Sequence, residues 1–295
     1  MPLVISQETF NEAVKENMEE FGMTEEEAVK EAKTQFEAQG VNLTNIIMTC
    51  SSAVVISRCI KCIEKLLSQT HPDRDADISF ELTIIKVELD KELATRIHAG
   101  KEGLYPLLIR CLRKMKDKHL SQVLQTLTSL TNGYPDLLDK SGLDFMIGFL
   151  QPNVDLELVV QNLRWIKNCI TAHEKNRSEL ILMKIQDCFR NLLQKFNDKP
   201  RLIIQICQVT KKLVSDDDIR VVHGNPHEHA RALANETLCT FISFMSIYMD
   251  DISVLYELIP AMTVLTVRDE FCLKVYEQNG LCHILDIMIK YPDDE

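Results

Sequence analysis

Three histidines fall within seven residues, His223, His227 and His229, soon after three consecutive aspartates, Asp216, Asp217 and Asp218. Neutral imidazole and carboxylate together suit zinc, nickel or copper. His227 and His229 alternate, so an extended loop would turn both to one side. Their spacing fits no standard zinc signature, and the cysteines lie elsewhere in the chain. The segment reads in three ways: a polar surface loop whose aspartates cap helices and pair with Arg220; a partner-contact loop using Asp217, Asp218, Arg220, His227 and His229; or a metal-binding or enzymatic centre on His223–His229. The expectation assigns no metal, cofactor or catalytic residue.

Other reactive pairings are thinner. Cys59-Ile60-Lys61-Cys62 is a lone CxxC, and a zinc site needs a second pair or suitably spaced histidines. It reads as two thiols on a helix. The chain holds no Gly-rich phosphate loop, nucleophile elbow or HExxH helix. The expectation is a non-enzyme.

The elements that must position these residues announce themselves by repetition. Leu104-Leu107-Leu108-Cys111 has the spacing i, i+3, i+4, i+7, one stripe of a helix. The same cassette recurs at Leu143-Met146-Ile147-Leu150, Ile185-Cys188-Phe189-Leu192, Leu238-Phe241-Ile242-Met245 and Leu281-Ile284-Leu285-Met288. The starts lie 39, 42, 53 and 43 residues apart (104, 143, 185, 238, 281). A helical unit of that period marks an armadillo or HEAT array. A short helix precedes each cassette, as in Pro135–Lys140 or Arg268–Asn279. A longer third helix follows: His119–Thr131, Leu156–Thr171, Arg201–Val214 and Ser253–Val267. Three helices per unit favour armadillo, so the expected fold is an all-α, right-handed armadillo-type solenoid with an N-terminal helical pair.

Gly103, Gly142 and Gly280 precede cassettes and suit left-handed corners between first and second helix. Lys184 and Thr237 stand there in the other two units. The connection before Leu238 is about ten residues longer than the rest and carries Asp216–His229; such insertions fall on surfaces and often bind. Three regions are expected: 1–40, an acidic helical pair; 41–100, a degenerate first repeat with one helix over 78–99; and 101–295, the array. In the pair, Ser6 caps a helix bearing Phe10, Val14, Met18 and Phe21 on one side, and Thr24 with Glu27 forms a capping box. Both helices are short enough to need docking on the array or a partner. The fifth cassette has no third helix after it, so its apolar stripe is expected to be uncovered, in a chain that stops inside the array.

In armadillo-class nuclear-import receptors, which this architecture resembles, Trp and Asn recur on the third helices and grip basic peptides. Here Trp165 occupies the tryptophan register, but Cys169 occupies the asparagine one. The other units offer Gln125/Ser129, Gln208/Lys212 and Pro260/Val264. The ladder is absent. Arg164, Lys167, Lys211 and Lys212 make these helices positive, which fits an acidic segment better than a basic one. Partner contact is expected at Arg164, Trp165, Lys167, Asn168, Gln208, Lys211 and Lys212, with Trp165 either an anchor or a packing residue.

Several strings, in order, resemble the armadillo repeat-containing protein 6 family. They include Gln7-Glu8-Thr9-Phe10, Gln35-Phe36-Glu37-Ala38-Gln39-Gly40-Val41, Tyr134-Pro135-Asp136-Leu137-Leu138-Asp139, His173-Glu174-Lys175-Asn176-Arg177, Asp216-Asp217-Asp218-Ile219-Arg220-Val221 and Asp269-Glu270-Phe271-Cys272. Little matches over 46–90. The resemblance implies a non-enzymatic armadillo scaffold and transfers no catalytic residue.

The formal net charge is −11, and residues 1–40 contribute −7 from ten Glu and three Lys. Such a chain is a poor general binder of phosphate backbones, so no nucleic acid is expected. No signal segment or membrane span is evident. The expectation is a cytosolic or nuclear scaffold for a protein partner of unknown identity, in an extended or acidic form.

Overall fold

The computed structural model describes residues 3–44, 46 and 50–292, without the side chains of residues 25, 50 and 51. Residues 1–2, 45, 47–49 and 293–295 lie outside the described residues, and with them part of the expected 41–100 region. The chain divides into two compact units, Met1–Tyr134 and Pro135–Glu295.

The first unit begins with α1 (Gln7–Phe21) and α2 (Glu25–Ala38). Ser6 Oγ accepts from Thr9 N–H at 3.1 Å. Thr24 and Glu27 close a capping box, with Thr24 N–H donating to Glu27 at 2.9 Å. The pair builds a small core of its own: Phe10, Val14, Ala28 and Ala32 pack with Val41, Leu43 and Ile46. Asn42 N–H donates to the Leu3 carbonyl and ties the return strand to the chain start. The expected α1 stripe is corrected at its end. Met18 and Phe21 are exposed, and Asn17 is buried instead, donating to the Ala28 carbonyl. After the turn at Gly22, α2 returns along α1, with Asn17 against Ala28 and Phe10 against Phe36, and leaves Phe21 uncovered.

The unit continues with α3 (Cys50–Leu67), α4 (Arg74–Leu89), α5 (Leu93–Lys101), α6 (Leu104–Lys114) and α7 (Asp117–Thr131). The single helix expected over 78–99 is two, broken at Asp90–Glu92. Apolar residues run on through the break because α4 and α5 belong to successive repeats. The third helices α4 and α7 pack on each other.

In the second unit a 3₁₀ turn (Pro135–Leu137) leads to α8 (Lys140–Phe149), α9 (Leu156–Ile170), α10 (Glu174–Leu182), α11 (Ile185–Lys195), α12 (Pro200–Leu213), α13 (Pro226–Ile247), α14 (Ile252–Leu265), α15 (Asp269–Glu277) and α16 (Gly280–Lys290). The third helices α9, α12 and α14 pack in succession. Cassettes one, three and four are buried throughout, and the second is buried except for half-buried Ile147. The fifth differs: Leu281, Leu285 and Met288 are exposed, and α16 buries Gly280 and Ile287 instead.

The corners depart from the glycine pattern. Gly103 is left-handed, but the corresponding residues ahead of α11 and α16 are Lys184 and Asn279. Gly142 lies inside α8, capped by Asp139. Gly280 is needed for space, since a Cβ there would lie 2.8 Å from the Val275 carbonyl oxygen. Ahead of the fourth cassette no corner exists. Helix α13 runs unbroken for 22 residues and merges first and second helices.

One device recurs in both units. Arg96 on α5 donates through Nε to the Leu89 carbonyl at 2.9 Å and through Nη1 to the Asn132 carbonyl. Arg177 on α10 does the same to Ile170, at 2.9 Å, and to Ser215. Each arginine joins the C-terminal ends of two successive third helices, whose last carbonyls lack intrahelical donors.

Candidate functional site

Two polar regions of the second unit contain the residues singled out above. On α9, α12 and α14 a stripe of side chains is tied across the helices. Lys167 Nζ donates to Gln208 Oε1 at 2.9 Å, and Gln208 Nε2 to Glu257 Oε1 at 2.9 Å. Lys211 Nζ reaches the other Glu257 oxygen at 2.5 Å. Arg201 pairs with Glu157 at 2.6 Å, two to three turns nearer the N-terminal ends of α12 and α9. Burial lowers the pKa of Lys167, and the positive Arg164, Lys212 and Lys211 add to this against the pull of Glu257. Arg164 and Asn168 are half-buried on α9. Glu257 was not foreseen. It is an isolated carboxylate in sequence, and only the packing of α12 on α14 shows what it neutralises.

Trp165 belongs to the base of this stripe, not its surface. Its side chain is fully buried, which favours the packing alternative for Trp165 over the anchor. Its indole Nε1–H has no hydrogen-bond partner among the described residues. Asn162, also fully buried, donates to the Met146 carbonyl at 2.8 Å.

The second region is the insert. Asp218 is buried, caps α10 by accepting from Glu174 N–H at 2.9 Å, and binds Arg220 Nε at 2.8 Å. The Arg220 hydrogen bond holds the Asp218 carboxyl far below the ordinary range; burial opposes this and the backbone donors of Glu174 and Arg220 reinforce it. Arg220 also reaches Asp136 at 3.0 Å, and the same carboxylate lies 3.0 Å from His173 Nε2. Fully buried Arg177 pairs with Asp217 and with Glu174, and Lys212 lies 3.5 Å from Asp217. Glu174 Oε1 accepts from Asn225 N–H at 3.1 Å and closes the insert at its far end. Arg177, Glu174 and Asp136 had been legible only as part of a resemblance.

The histidines do not converge. His229 is buried in the first turns of α13, with Nδ1 donating to the Leu213 carbonyl at 3.0 Å and Nε2 3.3 Å from Ser178 Oγ. His223 and His227 are exposed. Residues two apart on a helix point to opposite sides, so the shared side expected of an extended loop is lost. Among the described residues no cluster of three or more His, Cys, Asp or Glu is placed to hold a metal ion. Cys59 is buried on α3, and burial pushes its thiol up to about 11, away from nucleophilic thiolate. Among the described residues no helix is long and apolar enough to cross a membrane.

Residues 3–69 match the armadillo repeat-containing protein 6 N-terminal domain. The chain is 35% identical over 306 residues to the Drosophila melanogaster armadillo repeat-containing protein 6 homolog, covering 100% of this chain and 65% of that one. It is 31% identical over 303 residues to Homo sapiens armadillo repeat-containing protein 6, covering 99% of this chain and 60% of the relative. The chain thus spans 60–65% of the length of these relatives. The crystal structure of an engineered protein from the Northeast Structural Genomics Consortium superposes with a TM-score of 0.55 at 12% identity, covering 87% of this chain and 96% of that one. This last likeness concerns the fold alone.

Proposed function

Because the chain belongs to the armadillo repeat-containing protein 6 family, we propose that it is a non-enzymatic scaffold that binds a protein partner along the third helices of its second unit. Armadillo repeats stack into extended surfaces suited to other macromolecules. The observation that carries the reading is the polar stripe of α9, α12 and α14, in which Lys167, Gln208, Lys211 and Glu257 are held in one hydrogen-bonded row. Such a row presents donors and acceptors at fixed spacing, which limits the ordering needed on binding. Arg164 flanks it with a guanidinium for which no ion pair is formed among the described residues. The insert contributes exposed Arg220 and His227, and Asp217 through its Arg177 pairing.

The test is capture of partners from cell extract, with mass spectrometry, by the full chain and by an Arg164→Ala, Lys211→Ala, Glu257→Ala variant of unchanged helicity. Loss of specific partners supports the stripe. Retention of them, together with loss on reversing Glu12, Glu16 and Glu19, assigns docking to the acidic helical pair and overturns it.

A further inference from the structure

The corner between α6 and α7 concentrates positive charge in an otherwise acidic chain. Arg110, Arg113, Lys114, Lys116 and Lys118 fall within nine residues with one acid, Asp117. All five are exposed. Among the described residues Arg110, Lys114, Lys116 and Lys118 form no ion pair, whereas Lys86, Lys211 and Lys212 on other third helices do. Arg110 and Lys114 are one turn apart on the same face of α6.

The corner is held rigidly from behind. Buried Asp75 accepts the Lys116 N–H at 3.0 Å and binds Arg74 at 2.7 Å. Arg74 in turn donates to the Lys114 carbonyl at 3.1 Å. The backbone is therefore fixed on both sides of the turn while the lysine side chains stay in solvent. Beside it lies a polar concavity of about 370 Å³ whose lining includes His71, Arg74, Lys116, Lys118 and His119. Arg113 and Lys114 suit the C-terminal turn of α6, but the placement of Lys116 and Lys118 opposes helix stability. Lys116 is the N-cap residue of α7, without a side-chain cap bond, and Lys118 lies in the first turn. Cations at a helix N-terminus face the positive end of the macrodipole. Folding alone gives no reason for lysine at these two positions.

We propose that the α6–α7 corner is a docking surface for a short acidic peptide segment of a protein partner. This goes beyond the third-helix surface and rests on the scaffold reading only in taking the ligand to be a protein. A short run of carboxylates matches a ridge nine residues long. A long polyanion would also meet the remaining acidic surface, including the N-terminal pair at −7 within the same unit. At physiological salt, attraction beyond about 8 Å is screened, so only the segment lying on the ridge feels it.

The experiment measures fluorescence anisotropy of a labelled glutamate-rich peptide with the full chain. A glutamine-rich peptide and a single-stranded DNA of matched charge serve as comparisons. Saturable binding of the glutamate peptide is expected, weakened about tenfold or more by Arg110→Glu, Lys114→Glu, Lys116→Glu and Lys118→Glu together. Lys140→Glu with Lys175→Glu, two exposed cations outside both surfaces, should leave this binding unchanged. Far-ultraviolet dichroism and melting confirm that the exposed substitutions leave the fold intact; if they do not, the four Gln substitutions are used instead. Undiminished binding in the folded ridge variant overturns the proposal, whatever the stripe variant does in partner capture. Tighter binding of the DNA than of the peptide overturns it in favour of a nucleic-acid surface.

Discussion

The insert of the second unit and the α6–α7 corner of the first are both charged turns between helices, yet they use charge in opposite ways. In the insert, Asp217, Asp218 and Arg220 are bonded to Arg177, Glu174 and Asp136 in a partly buried network. At the corner, Asp75 and Arg74 do the holding from within, and the lysines are left over. A charge desolvated inside a protein must be paired, whereas an exposed one is free to remain unpaired at little cost. Sequence clusters of similar appearance therefore divide into structural and available ones only when burial is known.

The largest effect should come from breaking the insert. Arg177→Ala removes the cation between Glu174 and Asp217 and frees two third-helix carbonyls, and should lower stability by about 3–5 kcal/mol in urea unfolding. A loss near that of a surface substitution would show that the insert is not part of the folded core.

Trp165→Ala should cost about 3–5 kcal/mol through an emptied volume under the stripe. Trp165→Phe should cost much less, because the indole N–H makes no hydrogen bond to lose. Equal losses would contradict that account and imply an indole hydrogen bond in solution.

Acid should weaken both turns, since Asp75 behind the corner and Asp218 in the insert are each held below the ordinary carboxylate range. Asp218 has a depressed folded pKa, so its contribution is present above the unfolded value of about 3.9 and is lost as pH falls through the folded one. Asp218→Asn should lower melting temperature near neutral pH and flatten its decline in acid. An unchanged decline would mean that other carboxylates dominate it.

In the stripe, Glu257→Gln keeps the Gln208 contact but removes the charge opposite Lys211, and should cost about 1 kcal/mol. At the corner the sign should reverse. Lys118→Ala removes a cation from the wrong end of α7 and should leave stability unchanged or raise it by about 0.3–1 kcal/mol. Destabilisation there would place Lys118 in the structural class and remove the contrast between the two turns.

Local rules made much of the fold legible. The third helices at α7, α9, α12 and α14 begin and end within two residues of their expected limits, because apolar periodicity and caps such as Asp155 and Asp251 are written in neighbouring residues. The capping box at Thr24 and the cassettes from Leu104 to Met245 follow from the same short-range logic. The candidate site was less legible. Arg96 and Arg177 each stand eight residues ahead of a cassette (96 to 104, 177 to 185), a register that could have exposed their shared role, but their acceptors lie 36 and 38 residues onward.

By itself, then, the sequence determined the helical repeat, its period and the excess of acid, since each is a property of spacing or composition. Only the tertiary structure decided that Trp165 is buried, that His227 and His229 part company on a continuous α13, that Glu257 neutralises Lys211, and that Leu285 is exposed where Ile242 is covered. Those outcomes depend on which helix lies against which. Burial and charge pairing are properties of two surfaces brought together, and a linear pattern specifies only one of them.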